Sequence, residues 1–260
     1  MNVLVSNDDG INASGIRHLI EALRGVEGVK IYVCAPDGQR SASGHSISTT
    51  GGPIIVHDVE IPGVEKALSL SGTPADCVKS GIKMLRNNEN IQIDVVFAGI
   101  NHGSNIGTDV YYSGTVSAAI EGTFNKVPAV SISVGTHYPT EEQLANCTEM
   151  IQDLCKRVVP ELDYSTVLNV NFPNVPPAEI KGLKICRLGP REYDEQFDIM
   201  TNPRGEKYYW YTGELVEYKG LPEDYDVMAH QEGYVTLTPL RMDITDFSLM
   251  ETAQKWNLKY

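Results

Sequence analysis

Apolar residues run without polar alternation at Val3-Leu4-Val5 and again at Val95-Val96-Phe97-Ala98 of a strand predicted over 94–98, the pattern of strands buried on both faces in a parallel sheet. Further strands are predicted over 30–34, 128–134 and 167–171. Between these runs the period changes. Ile16, Leu19, Ile20 and Leu23 recur at i, i+3, i+4 and i+7, which predicts a helix over 14–24. Helices are expected over 74–86, with Pro74 in the first turn where a missing N–H costs nothing, and over 114–125. A longer one, 141–158, opens on the capping box Thr140/Gln143 and turns Leu144, Cys147, Ile151, Leu154, Cys155 and Val158 inward. Segments 53–59 and 67–70 read as a peripheral hairpin, and 40–52 and 99–112 as polar loops. Strands alternating with helices predict an α/β fold with a Rossmann-like, mostly parallel sheet and helices on both faces.

After Pro190 the pattern changes. Stretches 207–211 and 215–218 read as a hairpin around Thr212-Gly213, 234–240 as a strand with period-two alternation, and 245–256 as a terminal helix. The expected organisation is an α/β core over 1–190 and a hairpin arm, strand and helix over 191–260 that do not form an independent domain. The run Tyr208-Tyr209-Trp210-Tyr211 suits an interface between subunits better than a base-stacking platform, because aromatics are enriched in interface cores.

Candidate chemistry sits in three loops that follow sheet strands. Asp8 and Asp9 come directly after the first strand, where open parallel sheets bind their ligands. Two adjacent carboxylates repel unless a cation or a proton joins them; the competing reading has one capping the next helix and the other solvated. Arg40-Ser41-Ala42-Ser43-Gly44-His45-Ser46 and the stretch from Gly99 through Asn101, His102 and Asn105 to Gly107 supply more oxygens among glycines. Such donors suit a hard cation, Mg²⁺, Mn²⁺ or Ca²⁺, rather than a thiolate zinc site. Ser113-Gly114-Thr115 opens the third helix, and its free N–H groups would hold a phosphate, although Ser113 also reads simply as an N-cap. His45 and His102 are candidate proton donors. No G-x-x-x-x-G-K-[ST] is present, no G-x-G-x-x-G follows the first strand, and H-E-x-x-H is missing.

The 260 residues hold 21 Lys+Arg against 34 Asp+Glu, a net charge of −13, which argues against a nucleic-acid polymer as partner. Five cysteines without a C-x-x-C pair, no visible signal peptide and no apolar run of membrane-spanning length make a cytoplasmic protein without a membrane partner the expectation.

Together LVSNDDGI, APDGQRSASGHSIS, SGTPADCV, GINHGSNIG, YSGTVSAAIEG, GEKYYW and EGYVTLTPL resemble the SurE (survival protein E) family of metal-dependent nucleotidases, in order along essentially the whole chain. Ser104 stands where many members carry proline. The resemblance implies hydrolysis of nucleoside 5′-monophosphates, and of 3′-monophosphates and short polyphosphate. It implies one divalent cation per subunit, Mg²⁺ or Mn²⁺, on Asp8, Asp9, Ser41 and Asn101, and phosphate contacts from Asn105, Ser113, Gly114 and Thr115. It also implies a homodimer, or a homotetramer of paired dimers, built by exchange of the C-terminal hairpin and tail. Two other readings compete. A haloacid-dehalogenase-type phosphatase would use an aspartyl nucleophile, but in a D-x-D motif rather than adjacent carboxylates. A non-catalytic, metal-dependent nucleotide sensor would keep the ligands without turnover.

Overall fold

In the computed structural model, which describes residues 1–194, 196–216, 219–256 and 258, the chain forms one large sheet and one small one. The strands are β1 (Asn2–Ser6), β2 (Lys30–Pro36), β3 (Val56–Val59), β4 (Lys66–Leu70), β5 (Val95–His102) and β6 (Ala129–Val134). They continue as β7 (Thr166–Phe172), β8 (Leu183–Ile185), β9 (Phe197–Thr201), β10 (Lys207–Tyr211) and β11 (Val235–Arg241). The large sheet has the order β3-β4-β2-β1-β5-β6-β7-β11-β8. Its six strands from β4 to β7 are parallel, and β3 and β11 pair antiparallel at either side.

Helices cover both faces, as the alternating pattern predicts. On one face α1 (Ser14–Arg24) buries Ile16, Leu19, Ile20 and Leu23 against β1, β2 and β5. On the other, α2 (Pro74–Glu89) is closed by a reciprocal Thr73/Asp76 capping box, and α3 (Gly114–Phe124) packs beside it. α2 covers β1 and β2 while α3 covers β5, β6 and β7 and packs along α2, so most of α3 is buried.

The helix expected over 141–158 is interrupted. It divides into α4 (Glu141–Ala145) and α5 (Thr148–Asp153), followed by a widened π-type turn over Leu154–Val158. At the break the Cys147 N–H reaches back only to the Leu144 carbonyl, so the chain tightens there while Leu144, Cys147, Ile151 and Leu154 all stay in the core.

The hairpin partner also differs from expectation. β10 pairs with β9 rather than with Leu215 or Val216. Asn202 builds the turn: its Oδ1 accepts from the N–H groups of Arg204 and Glu206, and Gly205 takes the left-handed conformation. Leu215 makes an isolated bridge to Tyr193, and Glu217 and Tyr218 lie outside the described residues, as do Lys259 and Tyr260 of the expected tail. Beyond the hairpin come α6 (Asp226–Gln231), β11 and α7 (Phe247–Ala253). β11 lies between β7 and β8, so the C-terminal segment adds a strand to the same sheet as the first 190 residues.

The chain turns back on itself at β1 and β5. From β1 it proceeds outward through β2 and β4; from β5 it proceeds the other way through β6 and β7. This is the topological switch point of an open parallel sheet, and the crevice beyond the carboxyl ends of β1 and β5 is where ligands bind in such folds.

Candidate active site

The loop Asn7-Asp8-Asp9-Gly10 leaves β1 at that crevice. Its shape is fixed by the Asn7 amide donating to the Gly10 carbonyl at 2.9 Å and by the Arg40 N–H donating to the Asp8 carbonyl at 2.7 Å. Asp8 is only 4% exposed and faces the start of α3. The Thr115 hydroxyl donates to Asp8 Oδ1, while Ser113 Oγ caps the helix by accepting from the Val116 N–H at 3.0 Å. Gly114 is where the two elements meet. A Cβ there would lie 2.8 Å from Asp8 Cβ, 2.9 Å from Ser43 Oγ and 3.0 Å from Asp8 Oδ2. A residue without a side chain is therefore required at the first turn of α3.

Burial pushes the Asp8 carboxyl up to about 6, with the Thr115 hydroxyl pulling it back and the neighbouring Asp9 charge adding to the rise. Asp9 is also raised, by burial, against the opposing pull of His102 and His137. Its Oδ2 accepts the His102 N–H at 3.2 Å. Asp9, His102, His137, Gln39 and Tyr138 line a polar cleft of about 500 Å³.

β5 runs on past its expected end at Ala98, through a register shift between Ala98 and Asn101, to His102. Gly99 permits this, since a Cβ there would be 2.4 Å from the Ile132 carbonyl oxygen of β6. Asn101 thus stands at a strand end rather than in a loop. Its amide NH₂ donates to the Gly103 carbonyl at 2.7 Å, which leaves its side-chain oxygen to act as an acceptor.

Asn105 is held on all sides. Its N–H donates to Asn171 Oδ1 at 2.7 Å, and its carbonyl accepts from the amides of Asn169 and Asn171 at 2.7 and 3.2 Å. Its own amide donates to Ser133 Oγ at 2.9 Å.

The structure thus brings Asp8, Asp9, Asn101, Gly114 and Thr115 to the carboxyl edge of β1 and β5 and the adjoining start of α3, while Asn105 lies further along the same edge, held by Ser133 of β6 and Asn169 and Asn171 of β7. Ser113 is there too, with its hydroxyl engaged in the cap. Ser41 is exposed and accepts from the Gln39 amide at 2.9 Å, with no hydrogen bond to either aspartate. Ser43, two residues on, is the serine beside Asp8, and its hydroxyl is buried without a partner. His45 is drawn away from the crevice: its Nε2 lies 2.9 Å from the buried Glu121, and its ring stacks on Phe124. It anchors the 40–52 loop, together with Asp76, which accepts from both the N–H and the hydroxyl of Ser48.

Sequence reasoning named Ser43 only as one oxygen donor of its loop, and passed over Ser133, Asn169, Asn171 and Asp226. The last accepts from the N–H groups of Gly107 at 2.9 Å and Gly189 at 2.8 Å, tying the Asn105 loop to α6.

Among the described residues no three His, Cys, Asp or Glu side chains gather into a cluster able to hold a metal, so neutral oxygens must complete any cation site on Asp8 and Asp9. Such oxygens are present: Asn101 has an uncommitted amide oxygen, and Ser43 Oγ and Asn7 Oδ1 are buried without partners. The donor set fits a hard divalent cation.

Comparisons with known proteins place the whole chain in one family. The family model described as "Survival protein SurE" matches residues 3–195. The chain is 40% identical to a protein of Symbiobacterium thermophilum named "5'-nucleotidase SurE", over 99% of each chain. It is 42% identical to one of the same name from a Synechococcus species, over 99% of this chain and 98% of the other. It superposes on the crystal structure of the SurE protein from Aquifex aeolicus with a TM-score of 0.79 and 35% identity, covering 98% of each chain. In sequence and in fold, the chain belongs to the SurE family.

Proposed function

We propose that the protein is a divalent-metal-dependent 5′-nucleotidase that hydrolyses nucleoside 5′-monophosphates to nucleoside and phosphate. The reading rests above all on the apposition of Asp8 to the N-terminus of α3 across Gly114. One anionic group and one anion-binding helix start stand face to face, the arrangement needed to hold a cation and a phosphoryl group side by side. The relatives' names support the same activity.

Asp8, Asp9, the Asn101 amide oxygen and a serine of the 40–52 loop, Ser41 or the nearer Ser43, would hold Mg²⁺ or Mn²⁺. The bound ion supplies Lewis-acid neutralisation of phosphoryl charge. The chain's own residues do the rest. The first N–H groups of α3, at Gly114 and Thr115, lack intrahelical partners and offer donors to the phosphoryl oxygens. Asn105 presents its amide from a rigid cradle. His102, in the cleft beside Asp9, keeps one ring nitrogen free of its contact with Ser14 and can hold a proton for the leaving oxygen.

3′-Monophosphates and short polyphosphate are further substrates under this proposal, because the recognition described reads the phosphoryl group. Phosphate release from a panel of 5′- and 3′-nucleotides and polyphosphate, with Mg²⁺, Mn²⁺ or EDTA, is the test. Turnover that persists undiminished in EDTA would sink the metal dependence, and trapping of a phosphoaspartate would revive an aspartyl nucleophile.

The assembly proposed is a homodimer, pairing into a homotetramer, in which β9–β10 and the tail of 191–260 pack on another subunit. Phe197, Ile199, Met200, Tyr209 and Trp210 of that hairpin are all exposed in the single chain, and a lone two-stranded ribbon is marginal in water. No helix among the described residues is long and apolar enough to cross a membrane, and the five cysteines are buried free thiols. These features support the proposed cytoplasmic location.

A further inference from the structure

The segment that joins β5 to α3 carries Asn105 near one end and Ser113, the cap of α3, at the other. Between them lies the short 3₁₀ turn Gly107–Tyr111. The Gly107 N–H donates to the buried Asp226 at 2.9 Å, and Val110 is buried in the core on the α2 and α3 side. Asp109 is the residue of this turn that reaches both α3 and the C-terminal part of the chain.

Its backbone serves the helix. The Asp109 carbonyl accepts the N–H groups of Tyr112 at 3.0 Å and Ser113 at 3.1 Å, so the orientation of the turn sets that of the cap residue. Ser113 in turn holds the first turn of α3, its hydroxyl oxygen accepting from the Val116 N–H and its carbonyl from the Ser117 N–H at 3.1 Å. The Asp109 side chain serves the other partner. Its Oδ2 lies 2.6 Å from Arg191 Nε and accepts the Tyr193 hydroxyl at 2.8 Å. Arg191 Nε also donates to the Tyr193 oxygen at 3.3 Å, and the Arg191 carbonyl accepts the Thr108 hydroxyl. The Arg191 and Asp109 side chains are only 16% and 18% exposed, so their pair is sheltered from the water that weakens ion pairs at the surface. Charge-assisted hydrogen bonds of this kind fix direction as well as charge.

A second connection leaves the same turn. The Gly44 N–H donates to the Tyr112 carbonyl at 3.0 Å, so the loop that places Ser43 against Gly114 is fastened to it as well. Asp8 is not, since it follows directly on β1. A turn that loosened would therefore shift the start of α3 and Ser43 relative to the carboxylate they face.

We propose that Asp109 and Arg191, bridged by Tyr193, are positioning residues for the phosphoryl group, their ion pair holding the start of α3 in the direction from which its free N–H groups meet phosphate. The inference rests on the nucleotidase reading and adds the residues that set how tightly the phosphate site grips. Through Arg191 and Tyr193 the stretch 191–260 contributes to that site without touching the substrate.

The test measures the Ki of inorganic phosphate against nucleotide hydrolysis, and the rise in Tm that phosphate produces, in the metal-loaded full-length protein. Asp109→Asn and Arg191→Met should each raise Ki by about tenfold, the scale expected when binding groups are displaced by a fraction of an ångström, and shrink the rise in Tm. Tyr193→Phe removes one hydroxyl from a half-exposed side chain, keeps the fold, and should raise Ki about threefold; Arg191→Lys, which keeps the charge, should recover part of the loss. A purely structural role would lower Tm and the amount of active enzyme but leave the Ki of the folded fraction at the wild-type value. An unchanged Ki in the variants that fold overturns the proposal, whatever their Tm. A wild-type protein that hydrolyses no nucleotide defeats the nucleotidase reading itself, a result distinct from an unchanged Ki.

Discussion

Replacing Gly114 by alanine adds a single methyl group at the point where helix, carboxylate and serine converge. Gly114 has ordinary helical backbone at the first position of α3, so the substitution introduces no conformational strain and should gain up to about 1 kcal/mol of helix propensity. Against this, the new Cβ meets Asp8 Cβ at 2.8 Å, where ordinary contact begins near 3.4 Å. Ser43, on a loop, can rotate aside. Asp8 cannot easily do so, because its carbonyl is held by the Arg40 N–H and it follows directly on β1. The carboxylate must therefore retreat by about 0.6 Å relative to the helix start, at an overpacking cost of roughly 1–3 kcal/mol. Net stability should thus fall by about 0–3 kcal/mol, a Tm change of up to several degrees in a chain of this size. Activity should fall far more. A misplacement of about 1 Å at a reacting centre costs on the order of 10²-fold, so a kcat/KM loss of roughly 10- to 100-fold is expected. Thermal melts and nucleotide hydrolysis on the same preparation, with Mg²⁺ or Mn²⁺ in excess, provide the check. A variant with wild-type turnover would refute the apposition of Asp8 to α3 as the catalytic feature. One whose lost activity merely follows its unfolded fraction would do the same.

Four other outcomes are expected. Asp8→Asn and Asp9→Asn should each abolish turnover while leaving a folded protein, and near-normal phosphate release by both at millimolar Mg²⁺ would exclude their role. The metal-free protein should also show Asp8 in its pH dependence. A carboxyl raised to about 6 in the fold from 3.8 in the unfolded chain favours folding at low pH, and stability drops as pH rises from about 4 through 6. Asp8→Asn should therefore be about 2–3 kcal/mol more stable than the parent at pH 7 in EDTA, read from denaturant midpoints. Asn171→Ala should leave the Asn105 N–H without its acceptor, costing about 1–3 kcal/mol and lowering kcat more than it raises KM; an unchanged kcat would separate the cradle from catalysis. Excising 197–211 should convert the proposed dimer to monomer at low micromolar concentration in sedimentation, whereas a dimer that persists would place the interface elsewhere. Truncation before Tyr208 is a poorer test, because it also removes β11 from between β7 and β8.

How much of this was legible in the sequence depended on how local each signal is. Val3-Leu4-Val5 followed by two aspartates is local, and it located the crevice, since an all-apolar strand implies a central position and ligands gather at carboxyl ends. The hairpin was non-local. Thr212-Gly213 and Asn202-Pro203-Arg204-Gly205 are both acceptable turns, and only the Asn202 side chain, bonded to two N–H groups of the second, decided between them. The serine beside Asp8 was equally hidden. Ser41 and Ser43 are equivalent in sequence, and the anchoring of the loop on Glu121 and Asp76 determines which one turns inward.

The asparagines of β7 were a missed signal rather than a missing one. Leu168-Asn169-Val170-Asn171 alternates apolar with polar in a strand that the fold covers on both faces. A polar side chain buried in such a strand costs free energy unless it finds a partner. Asn169 sits near the carboxyl end of β7 and Asn171 one residue short of it; Ser131 of β6 satisfies the Asn169 oxygen, and the groups left over are met by a loop leaving a neighbouring strand at that same edge. Among the loops identified from sequence, the one following β5 is long, polar and rich in glycine, which makes it the element able to fold over β6 onto β7. Followed through, that requirement leads from Asn169 and Asn171 to the backbone of Asn105, which is the residue they hold. A buried amide in a central strand is thus a pointer to the active-site loop, because the free energy that would be lost by leaving it unpaired is what fixes the loop in place.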